Sequence, residues 1–196
     1  MCTVDLPERM NAASVLVDSH LERGRADKAA ILCGDATVTY RDLSKGVNRM
    51  GNVLLGLGMR MEERVAILLP DTPEWVFAFF AAMKIGAVAV PMNTMLLAKD
   101  YEYLLNDSRA RVLIVASSWL PKVLEVRDSL KYLEHVIVAG EEMQGHLSLS
   151  KLMESESTSL EAVDTSKDDA AFWLYSSGTT GFPKGAIHLH HDMVVE

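Results

Sequence analysis

Cysteine is almost missing from this sequence: Cys2 and Cys33 are the only two in 196 residues, one at the extreme start and one inside an apolar stretch. That is neither a disulfide framework nor a metal-ligand spacing, and it fits a reducing, cytoplasmic setting. Positive charge is also in deficit. Lys plus Arg number 19 against 27 Asp plus Glu, a net charge of −8. Nucleic acid is therefore excluded as a main partner, because phosphate-backbone binding needs a basic face. No run of five like charges marks an interaction tail. No internal repeat or low-complexity segment is visible, and the opening MCTVDLPERMN has no apolar core of a secretory signal. A clean membrane-spanning run is lacking too. The best stretch, 75–98, contains Lys84 and is broken by Gly86, Pro91 and Asn93. A lysine at mid-bilayer would cost about 2.5–3.5 kcal/mol, so the stretch reads as a buried helix followed by a buried strand.

What is present is an ordinary globular composition, 49% hydrophobic and 23% charged, in a chain long enough to bury a core. Residues 11–23 form a weak helical pattern. Segments 30–33 and 37–40 flank Gly34-Asp35 as a hairpin. Helical spacing runs from Asp42 to Leu57, with Gly58 as its left-handed end. Beyond residue 64 the pattern changes. Val65–Leu69, Ala87–Val90, Val112–Ala116 and His135–Ala139 are continuous apolar runs, as strands buried on both faces require. Helices are predicted between them over 72–85, 98–107 and 121–130, the first opened by Thr72 as a capping hydroxyl and Pro73 at the first helical position. The alternation predicts an α/β fold, a doubly wound, mostly parallel sheet with helices on both faces. A short helix is expected near 149–153, a solvent-exposed connector over 155–169, and a hairpin from strands 172–175 and 186–190. Trp75, Phe77, Phe79 and Phe80 read as core, and Tyr101 and Tyr103, on different helix faces, as structural.

The hairpin tip carries the chemistry: Tyr175-Ser176-Ser177-Gly178-Thr179-Thr180-Gly181-Phe182-Pro183-Lys184-Gly185. Gly178, Gly181 and Gly185 permit backbone angles closed to other residues, so N–H groups can turn toward one centre. Ser176, Ser177, Thr179 and Thr180 add hydroxyl donors, and Lys184 adds a cation. Many donors, one cation and no acid suit a polyphosphate. The net negative charge does not oppose this, because the screening length is about 8 Å at physiological salt. The spacing is not that of the common NTPase loop: two residues separate Gly178 from Gly181, and no Ser or Thr follows Lys184. His188 and His190 share one face of a strand, so a zinc site is conceivable there. No cysteine joins them, and no metal ligand is assigned.

YSSGTTGFPKG resembles the signature loop of the adenylate-forming, AMP-binding superfamily: acyl- and aryl-CoA ligases, luciferases and peptide-synthetase adenylation domains. VTYRDLS (38–44) and AAMKIGAVAVPMNTML (81–96) look like two further shared segments. Residues 93–115 and 171–193 look most like benzoate- and 4-hydroxybenzoate-CoA ligases. The resemblance implies the N-terminal portion of the family's large domain. Residues 1–60 would pack on an absent subdomain, and 61–196 would form an α/β subdomain ending in the loop at 175–185. It implies a two-step reaction, in which a carboxylate attacks ATP to give an acyl-adenylate and CoA then takes the acyl group. Ser176, Ser177, Thr179, Thr180 and Lys184 would hold the phosphates, with Lys184 catalytic. Gly178, Gly181 and Gly185 would shape the loop, and His190 would help hold the site's form.

ATP, CoA and Mg²⁺ are the implied cofactors, with the magnesium ligand, the adenine contacts and most of the acid pocket beyond Glu196. The chain is expected to be a truncated N-terminal part, inactive alone, whose uncovered apolar surface favours self-association. A medium- or long-chain fatty acid is the alternative substrate, and a non-catalytic phosphate-binding remnant the alternative from another class.

Overall fold

The computed structural model describes residues 5–176 and 181–195. A helical segment, α1, is π-wound over Ser14–Asp18 and α-wound over Ser19–Glu22. Strands β1 (Ala29–Cys33) and β2 (Ala36–Thr39) form an antiparallel hairpin through Gly34, whose φ is +56°. Helix α2 (Tyr40–Gly56) starts at Thr39, where the Thr39 hydroxyl accepts a hydrogen bond from the Asp42 N–H, and Gly58 follows its end at φ +79°. Then come β3 (Arg64–Leu68), α3 (Pro73–Lys84), β4 (Val88–Pro91), α4 (Ala98–Ser108), β5 (Val112–Ala116), α5 (Leu120–Leu124) and β6 (His135–Ala139). β7 (Leu147–Ser148), α6 (Leu149–Ser155), β8 (Ala170–Ser176), β9 (Lys184–Leu189) and α7 (Asp192–Val195) complete the described chain.

The main sheet has seven strands in the order β7-β6-β5-β3-β4-β8-β9, all parallel except β9. β3 leads through α3 to β4 on one side. β4 leads through α4 to β5 on the other side of β3, so the winding reverses between β3 and β5. The two helices lie on opposite faces. Val65, Ile67, Val112, Ile114 and Ile137 point into a core with α2 and α3. Their neighbours Ala66, Leu68, Leu113, Val115 and Val138 point into a core with α4 and α5. Period-two side chains covered on both sides explain why these strands are apolar at every position after the first residues of β3 and β6, Arg64 and His135.

Three local expectations about the helices fail. Thr72 is extended ahead of α3 but makes no side-chain cap bond; only its carbonyl accepts the Trp75 N–H. The helix expected over 121–130 ends at Leu124, and a short 3₁₀ turn over Arg127–Ser129 follows. Burying Leu130 and Leu133 with Leu120 and Val123 draws the chain down into the core instead. The N-terminal helix, expected as a regular one over 11–23, is π-wound over Ser14–Asp18, and Ala12 and Val17, five residues apart, share its buried face.

The connector at 155–169 is not simply solvated. Asn48 donates to the Thr158 carbonyl (2.8 Å) and Asn52 to Ser157 and Ser159 (2.9 and 3.1 Å). Leu160 lies over Gly51, and Thr165, buried, exchanges bonds with Met10. Polar composition suggested solvent, but the asparagines of α2 satisfy this strap's backbone carbonyls.

Candidate phosphate-binding hairpin

β8 runs parallel to β4, so its last residue, Ser176, lies at the carboxyl edge of the sheet, where open α/β sheets bind ligands. β9 returns antiparallel, with Tyr175 opposite Gly185 and Ser176 opposite Lys184. Ser176 and Lys184 thus form the two feet of the hairpin, and both are exposed. Ser177, Gly178, Thr179 and Thr180, also assigned to phosphate binding, lie outside the described residues. Among the described residues no carboxylate forms an ion pair with Lys184. Its ammonium is available to an anion.

The glycines act in different ways. Gly181 has φ +137°, a backbone state that L side chains avoid. Gly185 does not, which corrects the expectation of an unusual backbone angle there. What marks it is closeness: a Cβ at Gly185 would sit 3.3 Å from the Tyr175 ring lying across it, tighter than ordinary contact. A glycine required by close approach looks the same in sequence as one required by φ.

The hairpin is held from α4. Tyr103 donates to the Pro183 carbonyl (3.0 Å) and stacks on Phe182, with ring centroids 4.8 Å apart at 19°. Tyr175 donates to the Asp107 carboxylate (2.6 Å), and burial together with this bond pushes its phenol well above the usual value. Tyr101 turns the other way, fully buried, and donates to the Asn93 carbonyl. The two tyrosines do occupy different faces. What the spacing did not reveal is that Tyr103 reaches the signature hairpin, a contact 80 residues away along the chain.

The histidines also part company. β9 ends at Leu189, so His190 does not share a strand face with His188. His190 is fully buried. Its Nδ1 accepts the Ala12 N–H (3.1 Å), and its Nε2 has no hydrogen-bond partner among the described residues. His188 stacks on Phe172, and His191 lies 3.0 Å from Asp168 and 3.1 Å from Asp192. Among the described residues no three His, Cys, Asp or Glu side chains are placed to hold a metal ion, and no helix of the described chain is long and apolar enough to cross a membrane.

Desolvation lowers the His190 pKa below its ordinary 6.5, with Asp169 opposing in part. The unfolded chain therefore takes up a proton first as pH falls, and stability is lost from about pH 6.5 down to the folded-state value. The urea midpoint of the parent chain is expected to fall between pH 7 and 5.5, and that of His190→Asn to fall less steeply. Equal slopes would contradict this assignment.

A separate apolar cleft of about 340 Å³ lies at the carboxyl ends of β3, β5 and β6, between Leu69, Phe77, Ala116, Ser117, Gly140, Leu149 and Met153. It stands beside the winding reversal and two strands away from the hairpin.

The sequence pattern of the family described as AMP-binding enzyme matches residues 18–196. The chain is 40% identical over 192 residues to the benzoate–CoA ligase of Thauera aromatica, covering 97% of the chain and 36% of that relative. It is 39% identical over 180 residues to the 4-hydroxybenzoate–CoA/benzoate–CoA ligase of Rhodopseudomonas palustris, covering 92% of the chain and 33% of the relative. The crystal structure of the anthranilate CoA ligase AuaEII in complex with anthranoyl-AMP superposes with a TM-score of 0.92 at 44% identity, covering 96% of this chain and 36% of that one. The chain thus spans about a third of the length of the relatives it matches.

Proposed function

The chain belongs to the AMP-binding enzyme family, and from that premise we propose that it supplies the phosphate-binding part of an AMP-forming acid–CoA ligase. The observation that carries this reading is the β8–β9 hairpin. It sets Ser176 and an exposed lysine, Lys184, opposite each other at the carboxyl edge of the sheet, on either side of the hydroxyl- and glycine-rich sequence. Ser176, Ser177, Thr179, Thr180 and Lys184 hold the β- and γ-phosphates of ATP, Gly178 and Gly181 supply backbone freedom for that grip, and Gly185 leaves room for the Tyr175 ring at its base.

ATP supplies the activating group. A carboxylate oxygen attacks its α-phosphorus, pyrophosphate leaves, and the resulting acyl-adenylate is open to displacement of AMP by the thiolate of CoA. The residues of this chain act on the leaving pyrophosphate. Lys184 and the hydroxyls hold it in line and offset the charge it gains, which is positioning plus electrostatic stabilisation. A benzoate or substituted benzoate is proposed as the acid, because the ligases named above are named for benzoate, 4-hydroxybenzoate and anthranilate. Magnesium is a proposed companion of ATP, and no side chain of this chain is assigned to it. The working location is proposed to be the cytoplasm.

Calorimetric titration with inorganic pyrophosphate and with ATP tests the reading. Saturable binding with Kd on the order of 0.1–1 mM is expected, about 4–5.5 kcal/mol of binding free energy. No heat with either ligand would sink it. ATP–pyrophosphate exchange by the 196-residue chain alone, with benzoate or with an alkanoate, is not expected.

A further inference from the structure

We propose that Tyr103 is a positioning residue for Lys184: helix α4 clamps both arms of the signature hairpin, and the Tyr103 hydroxyl sets the peptide from which the lysine projects. This rests on the phosphate-binding reading above and adds to it a residue outside the signature segment.

Tyr103 and Asp107 are four apart on α4 and so face the same way. Asp107 receives the Tyr175 hydroxyl from the upstream arm. Tyr103 grips the downstream arm twice, by its stack on Phe182 and by its bond to the Pro183 carbonyl. That carbonyl belongs to the same rigid peptide unit as the Lys184 N–H. Fixing the oxygen therefore fixes the plane at which the lysine leaves the backbone.

The clamp is itself anchored. On the opposite face of α4, Tyr101, Leu104 and Leu105 are buried in the core beneath β3 and β5. Phe182, by contrast, is 68% exposed and is held chiefly by the Tyr103 ring. Without the clamp, Lys184 keeps its place in β9 but loses the restraint on the residues just before it. The cost then falls on anion binding and not on folding.

The test uses the parent chain, Tyr103→Phe and Tyr103→Ala. Amide hydrogen exchange is followed on the peptide spanning 181–186, and affinity for inorganic pyrophosphate is measured by calorimetry. Tyr103→Phe keeps the stack and loses the hydrogen bond. It should speed exchange modestly and weaken pyrophosphate binding about 3–10-fold. Tyr103→Ala loses both and should weaken it by more than about tenfold. The urea midpoint of Tyr103→Phe should stay within experimental error of the parent, which a purely structural role would not allow. If the parent binds pyrophosphate and both variants match it in exchange and affinity, the positioning role is overturned alone. If the parent does not bind, the site reading falls and the positioning role falls with it.

Discussion

Replacing Lys84 by alanine is expected to lower the stability of the fold by about 3–5 kcal/mol, read as a large drop in the urea midpoint. Lys84 ends α3 with only 2% of its side chain exposed. Its ammonium reaches Asp18 of α1 (2.8 Å) and the Asn48 side-chain oxygen of α2 (2.7 Å), so one cation ties three helices. Truncation leaves a hole and strands both partners. The same physics predicts the remedy. A buried ion pair exchanged as a whole for apolar groups of similar size is often close to neutral, so Lys84→Met with Asp18→Leu should regain part of the loss, the rest being the buried Asn48 oxygen left without its donor. A cost below about 1 kcal/mol for Lys84→Ala would show that solvent reaches the pair, since Asp18 is 28% exposed, and would overturn the clasp.

Replacing Lys184 by alanine is expected to leave the urea midpoint unchanged and to weaken pyrophosphate and ATP binding about 10–100-fold by calorimetry. Lys184 is exposed and has no ion-pair partner among the described residues, so folding does not depend on it. A hydrogen bond to a charged phosphate contributes about 1.5–3 kcal/mol, which sets the size of the loss. Lys184→Arg keeps the charge but spreads it over a planar fork, and intermediate affinity is expected. Unchanged affinity in Lys184→Ala would remove the lysine from the proposed site. The contrast between the two lysines is instructive. The buried one carries structure and the exposed one is proposed to carry binding, although in sequence each is a lone cation among apolar or small residues.

The strands were the most legible part. Val112–Ala116 and His135–Ala139 match their predicted bounds, because burial on both faces demands an unbroken apolar run and few other structures do. α2 was legible from its period, and α3 from Pro73 and Gly86. The signature segment was legible as a family motif, and the family is shown by the match over residues 18–196; its phosphate-binding role is the proposal made above. Lys84 was noticed only as an obstacle to a membrane span. Its partners Asp18 and Asn48 lie 66 and 36 residues away, and nothing local points to them. The strap over 155–169 was misjudged for a related reason. Its backbone carbonyls, which composition does not describe, are what bind Asn48 and Asn52.

The sequence by itself determined the α/β alternation, the two-sided burial of the central strands and the chemical character of the hairpin. All three follow from short-range rules of periodicity, turn-forming residues and donor type. Only the tertiary structure decided which helix steadies that hairpin, which carboxylate neutralises the buried lysine, and that Gly185 is small to make room for Tyr175. Those are contacts between residues far apart in the chain. The order in which the strands assemble brings them together, and no local pattern encodes that order.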